Sequence, residues 1–361
     1  MLDKPTGIGQ YINSLIPELL QAAPEWHVHL LHRPDPWPGY RIQDWQARNL
    51  THHVTNLPHM SLRQHLFVPR MARHLKVDMI HYPHFDAPVH LSSIPVIATI
   101  HDAKYLMHPE FFTDLGRLKR WYMYFCFAQT LHQAAAVISV SRSTAQALQR
   151  MFHIGDQKLR VIYEAVSAQF EPTDHKQQAV LREKYGLKRP FILSVGERRP
   201  HKNHVNLIRA FAQSQSRQSH DLVIVGQVYR DYNEPEMTAQ KLSIKSQVHF
   251  LAGVNYNELI TLYSAADLFV LVSLYEGFGL PILEAMACGT PVIASSTTAS
   301  GEITGGGGMQ VNPQDTAAIA DAMDQMLQNI DLRNYYIGRG YERCGMFTWD
   351  RTAQETLALY R

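Results

Sequence analysis

Residues 268–294 constrain this chain more than any other stretch, because they read as strand, glycine turn, helix, turn and strand again. The apolar run Leu268-Phe-Val-Leu-Val-Ser273 has the length and branching of a buried strand. Pro281 suits the first position of a helix, where its missing N–H costs nothing. Gly289 ends that helix and Pro291-Val-Ile-Ala294 is the second strand. Such a unit is a βαβ crossover, and its two strands lie parallel.

The same alternation runs along the chain. Strands are predicted at Val28–Leu31, Met79–Tyr82, Pro95–Ile100, Ala136–Ser141, Leu159–Tyr163, Phe191–Gly196, Leu222–Gly226 and Val248–Leu251. Helices are predicted at Arg117–Gln133, Asn257–Ala266 and Asp315–Leu327, with Ser141 or Ser143 capping another. Near the start, Ile12, Leu15, Ile16, Leu19 and Leu20 form one helix face, and Pro17 is expected to kink that helix or tighten its start. This pattern implies an α/β protein with parallel sheets covered on both faces. At 361 residues the chain is too long for one ordinary core, so two domains are expected. The polar stretch 171–178, followed by Lys188-Arg189-Pro190, reads as the linker region.

Composition removes several classes. A net charge of +2 gives no electrostatic case for nucleic acid as the main ligand. Three widely spaced cysteines offer neither a disulfide framework nor a metal cluster, and they suggest a reducing compartment. No apolar run approaches the ~20 residues of a membrane span, and no signal peptide is visible, so a cytoplasmic location is expected.

The chemistry is read from the strand ends. The backbone N–H groups of Gly277, Phe278, Gly279 and Leu280 lead into a helix start, which carries donors and partial positive charge suited to a phosphate or diphosphate. Glu284, about one turn inside the helix, can accept hydrogen bonds from ribose hydroxyls, and Glu276 sits at the strand's C-terminal end, where ligands of open sheets collect. Taken alone, the segment reads better as a plain βαβ unit, with Glu276 capping and Glu284 on a solvated face. Arg198-Arg199-Pro-His-Lys202-Asn203 follows another strand, and its cations can neutralise a bound diphosphate. His101-Asp102 also ends a strand; a neutral imidazole can donate to a ligand hydroxyl, with Asp102 fixing its tautomer. Gly7 and Gly9 open the first helix, a pattern that a plain turn explains nearly as well. Arg117, Lys119, Arg120, Trp121, Tyr122 and Tyr124 mix basic and aromatic residues in a way that suits a membrane surface, and an ordinary half-buried helix slightly better.

The segment Glu-x(7)-Glu within EGFGLPILEAMACGTPVIAS closely resembles the signature of the family 4 glycosyltransferases, retaining enzymes of the GT-B fold. The Ile-His-Asp and Pro-His-Lys-Asn segments resemble those of mannosyltransferase-type members. The resemblance implies two Rossmann-like domains facing a central cleft, an acceptor-side domain over 1–175, a nucleotide-sugar-binding domain over 176–345, and a helix in 346–361 crossing back to the first. It implies that Lys202 contacts the donor diphosphate with an arginine, Arg198 or else Arg199, and that His101 lies near the transferred sugar. Glu276 would then orient the sugar, Glu284 would hold the ribose, and the Gly7–Gly9 loop would approach sugar and acceptor. Family members carry a strand just upstream of that loop, so the first strand is expected to be missing here, with Met1 an internal methionine. The implied activity is retaining transfer of a sugar, mannose from GDP-mannose before UDP-sugars, to a glycan or lipid-linked acceptor, at the inner face of a membrane. No metal or other cofactor is expected. Two alternatives keep the fold: a nucleotide-sugar epimerase, and a non-catalytic nucleotide-binding subunit.

Overall fold

The computed structural model describes residues 7–34, 45–58, 60–89, 92–112 and 115–361. The missing first strand expected upstream of Gly7 concerns residues 1–6, which lie outside the described residues. The chain forms two compact units, Met1–Glu164 with Thr348–Arg361, and Ala165–Phe347.

The first unit contains α1 (Gly7–Ala22), β1 (Val28–His32), β2 (Leu50–Val54), α2 (Leu62–Leu75), β3 (Ile80–Tyr82), β4 (Val96–Ile100), α3 (Lys104–Met107), α4 (Arg117–Gln133), β5 (Ala136–Ser139), α5 (Arg142–Phe152) and β6 (Leu159–Val161), together with a C-terminal helix, Trp349–Tyr360. Strands β3-β4-β5-β6 form one parallel sheet and β1-β2 a second parallel pair. Every residue of β4 is buried because both faces are covered. Val96, Ala98 and Ile100 join Phe127 and Leu131 of α4 and Leu148 of α5 on one side. Ile97 meets Ile138, Ile162 and the C-terminal helix residues Leu359 and Tyr360 on the other.

Sequence periodicity placed five aliphatic residues on the buried face of α1, whereas Tyr11, Leu15 and Leu19 are its deeply buried large side chains. An aromatic phenol is tolerated there because its hydroxyl lies 3.2 Å from Thr99 Oγ1. Pro17 lies inside the helix on its exposed side. Ser141 caps α5 by accepting the Thr144 N–H, one of the two caps expected.

The second unit contains α6 (His175–Tyr185), β7 (Phe191–Val195), α7 (His204–Gln213), β8 (Asp221–Val225), α8 (Glu234–Lys241), β9 (Val248–Leu251), α9 (Tyr256–Ala265), β10 (Leu268–Leu271), α10 (Leu280–Ala287), β11 (Val292–Ser295), α11 (Thr298–Thr304), β12 (Met309–Val311), α12 (Thr316–Gln328) and α13 (Ile330–Cys344). Its six parallel strands run β9-β8-β7-β10-β11-β12, the doubly wound order whose direction reverses between β7 and β10. Helices α7 and α12 cover one face through Leu207, Ile208, Phe211, Ile319, Met323 and Met326. The stretch read as a linker holds α6 instead. Its polarity belongs to a solvated helix started by a reciprocal capping box between Asp174 and Gln177.

Strands β7 and β8 end at Gly196 and Gly226, and the second glycine is sterically required. A Cβ on Gly226 would stand 1.9 Å from the carbonyl oxygen of Gly196. That atom is backbone and cannot turn aside, so the strand ends would have to separate. Gly226→Ala is expected to lower unfolding free energy by about 2 kcal/mol or more, read as a reduced urea midpoint; an unchanged midpoint would show that the strand ends yield freely.

Candidate active site

The reversal between β7 and β10 places two loops side by side in the second unit, Gly196–Asn203 after β7 and Val272–Gly279 after β10. The first is drawn to the second by Asn203. This residue adopts a left-handed φ of 60°, and its amide donates to the carbonyls of Val272 at 2.9 Å and Pro313 at 2.7 Å. The Leu274 N–H donates to the His201 carbonyl at 2.8 Å. These bonds bring Lys202 to the end of β10, where its ammonium donates to Glu276 Oε1 at 2.6 Å. Ser273 Oγ donates to the same oxygen at 2.7 Å, and the Glu276 N–H reaches Thr298 Oγ1 at 3.3 Å. Both partners of the ion pair are largely buried, at 15% and 12% side-chain exposure. At that depth the pair is little screened by solvent.

Beside the pair the chain turns at Gly279, whose φ of 105° an L-residue rarely adopts, and enters α10 with no side-chain cap on the helix start. Phe278 is anchored in the protein interior, edge-on to Phe347 at 6.0 Å. Glu284, inside α10, accepts from the Tyr263 hydroxyl of α9 at 2.7 Å. Burial pushes its carboxyl up to about 7, against the opposing effect of that hydrogen bond. The two candidate arginines turn to other partners. Arg198 Nη1 donates to Glu236 Oε1 of α8 at 2.6 Å, with its guanidinium 5.3 Å from the Phe250 ring. Arg199 is paired with Glu197 and lies 3.4 Å from the centre of the Tyr229 ring.

In the first unit His101 follows β4. Its Nδ1 lies 2.7 Å from Glu164 Oε1, and its ring meets Tyr11 edge-on at 4.8 Å. Asp102 serves Lys104 instead, through an ion pair of 2.8 Å and the Lys104 N–H. Burial raises the Asp102 carboxyl, but the Lys104 contacts outweigh it and leave it below its ordinary value. Behind His101, Thr99 Oγ1 links Tyr11 to His81, whose ring also contacts the Tyr360 hydroxyl. Burial first, and then the neighbouring His101, hold His81 down at about 4, so this network is uncharged near neutral pH.

Residues 5–170 match the Glycosyltransferase Family 4 model, and residues 177–343 match the Glycosyl transferases group 1 model. An uncharacterized glycosyltransferase of Methanocaldococcus jannaschii is 30% identical over 75% of this chain and 70% of its own. This chain belongs to the glycosyltransferases.

The glycosyltransferase is 28% identical to the O-antigen chain mannosyltransferase B of Escherichia coli, across 99% of this chain and 96% of that protein. It is 30% identical to the O-antigen chain mannosyltransferase RfbU of Salmonella typhimurium across 67% and 64%. Sucrose-phosphate synthase from Thermosynechococcus elongatus superposes with a TM-score of 0.77 at 23% identity, over 99% and 94% of the chains. HepE of Anabaena, solved with UDP-glucose, gives 0.78 at 21%, over 99% and 97%. The fold is GT-B and the enzyme is a hexosyltransferase.

Within this glycosyltransferase Lys202 and Glu276 come together, and Gly277–Gly279 lie between Glu276 and α10, whose first residue is Leu280. Gly7 and Gly9 fall inside the first turn of α1, Gly7 exposed and Gly9 buried. Sequence reasoning overlooked Ser273, Asn203 and Thr298 around the pair and Tyr263 beside Glu284, and it assigned the partner of His101 to Asp102 in place of Glu164. Asn203 stood in the quoted basic segment, and Glu164 follows a predicted strand, so position at a strand end was the usable signal for both.

The Glu284 carboxyl gives a stability test with a defined sign. Its folded value, about 7, lies above the ordinary 4.5, so the folded state keeps this proton longer than the unfolded chain does. The folded enzyme therefore loses stability as pH rises from about 4.5 through about 7. Glu284→Gln, which still accepts from Tyr263, should gain on the wild type by about 1–3 kcal/mol between pH 5 and pH 8. Denaturation at the two pH values measures it, and an equal difference at both would show Glu284 ionised throughout.

Proposed function

We propose that this glycosyltransferase moves mannose from GDP-mannose to a hydroxyl of a glycan or lipid-linked acceptor, with retention of anomeric configuration, in the assembly of a polysaccharide chain. The Lys202–Glu276 pair at the β7/β10 reversal carries the reading, and the near-full-length likeness to an O-antigen chain mannosyltransferase supports the sugar. An ammonium holds three protons for donation and a carboxylate two accepting oxygens, so both groups keep capacity for a ligand. Lys202 would stabilise negative charge on the departing diphosphate, together with the amides entering α10. Glu276 would accept from hydroxyls of the sugar and fix the ring at the reacting carbon, and Glu284 would hold the ribose. His101 would contact the transferred sugar. Displacement would occur on the face of the leaving group, whose diphosphate oxygen takes the acceptor proton. Cationic side chains and amides handle the charge in this scheme, so turnover is expected to continue in EDTA.

Glu276→Gln keeps the size of the side chain and removes its charge. It is expected to lower kcat by at least about 100-fold, while GDP affinity stays within about threefold of the wild type. Thermal shift across nucleotide-sugars should rank GDP-mannose first, and the product's anomeric NMR coupling should match the donor's. Stabilisation by UDP-sugars alone would reassign the donor; an inverted product would overturn the retaining mechanism. Sugar isomerisation without acceptor would favour an epimerase.

A membrane-side acceptor is supported by the outer faces of α2 and α4. Leu62, Leu66, Leu118 and Trp121 are exposed, Leu118 at 85%. Arg63, Arg70, Arg117 and Lys119 are exposed on the same two helices, which His65 Nε2 and the Tyr122 hydroxyl join at 3.2 Å. Apolar side chains beside cations match an anionic lipid surface. Among the described residues no helix is long and apolar enough to cross a membrane. The enzyme should sediment with phosphatidylglycerol vesicles and be released by the Leu118→Glu/Trp121→Glu double substitution; no sedimentation of the wild type would remove the membrane contact.

A further inference from the structure

His101 spends one ring nitrogen inside the protein and keeps the other for something else. Nδ1 is 2.7 Å from Glu164 Oε1, and the two side chains are 11% and 4% exposed. Nε2 is buried and has no hydrogen-bond partner among the described residues. Tyr11 packs edge-on against the ring, and Tyr11 itself contacts Trp349 and Thr99, so the ring is packed on the side of Tyr11. A buried ring nitrogen without a partner carries a desolvation penalty, which a ligand group meeting it would recover.

The pairing determines which kind of group that is. A carboxylate oxygen accepts and a ring N–H donates, so the 2.7 Å contact places a ring proton on Nδ1. Nε2 then carries a lone pair and can accept from a hydroxyl. This reverses the direction expected from the sequence, in which the imidazole donates to the sugar, and it replaces Asp102 with a residue 63 positions away.

We propose that Glu164 is a positioning residue for the transfer reaction: it holds His101 as the Nδ1–H tautomer, so that Nε2 accepts a hydrogen bond from a hydroxyl of the sugar being transferred. The proposal rests on the reading that His101 faces that sugar. Every sugar hydroxyl offers a proton, and an acceptor held in one orientation selects for the position of that hydroxyl. Loss of the carboxylate would free the ring to place its proton on Nε2, where it would oppose the hydroxyl proton.

The test combines spectroscopy with kinetics on the full chain. In histidine-labelled enzyme, the ¹⁵N resonances that disappear in His101→Ala identify the ring. The wild type should show a protonated Nδ1 and an unprotonated Nε2 at pH 7.5. Glu164→Gln, whose amide can also donate to Nδ1, should shift population toward Nε2–H and lower kcat about 10–100-fold, with KM for the donor changed less. Glu164→Asp, which keeps the charge, should recover part of the loss. A wild-type ring protonated at Nε2, or at both nitrogens, overturns the proposal whether or not the variants fold. Wild-type kcat in Glu164→Gln with a defective His101→Ala overturns it alone. Full activity of His101→Ala removes the functional reading of the histidine as well.

Discussion

Two parallel strands cannot be joined by a tight hairpin, so each return must cross a face of the sheet and enter again from the same end. This one constraint arranges the chemistry of the protein. All C-terminal strand ends of a sheet fall on one edge, and the connections leaving that edge are where side chains can gather. In the second unit the edge brings the loop after β7 against the loop after β10, because those strands are neighbours in the sheet although β8 and β9 lie between them in the chain. In the first unit the same rule sets His101, after β4, beside Glu164, after β6.

The Lys202–Glu276 pair shows what that arrangement costs and permits. Removing two charges from water carries a desolvation penalty that an ion pair repays only with good geometry and further hydrogen bonds. Both conditions are met through neighbours: Ser273 donates to the carboxylate, and Asn203 fixes the turn that carries the lysine. The pair is thus held in place by the protein's own groups, which is the property a site needs if its charges are to stabilise a developing diphosphate without reorganising. Asn203 holds a left-handed backbone to do this, so the local strain is offset by two buried hydrogen bonds.

Much of the fold could be read from the residues because buried parallel strands are continuous apolar runs ended by glycine or polar residues. Val248–Leu251 and Arg117–Gln133 have the bounds expected from sequence. Several of the missed elements lack that contrast. Strand β2 carries two histidines and a threonine, α2 contains Pro69, and α6 is polar on nearly every side. In the site, the motif residues Lys202 and Glu276 were legible as a pair of segments at strand ends. Their supporting hydrogen bonds were not, since Ser273, Asn203 and Thr298 acquire their roles only when separate loops meet. Arg198 and Arg199 were chosen for their charge, yet nearby Glu236 and the Tyr229 ring engage them, and no spacing in the sequence announces such competition.

Three carboxylates illustrate why residue type alone does not assign a role. Glu276 faces an ammonium and a serine hydroxyl, Glu284 faces a phenol, and Glu164 faces an imidazole. Burial pushes the Glu284 carboxyl up to about 7, against the Tyr263 hydrogen bond, so it can change charge near neutral pH. An ammonium keeps its partner as an acceptor, while an imidazole passes the carboxylate's preference through the ring to its far nitrogen. The environment therefore divides one side-chain chemistry into an anchor, a titrating group and an orienting group. It does so by placing different elements against each strand end, which returns the division of roles to the topology of the sheets.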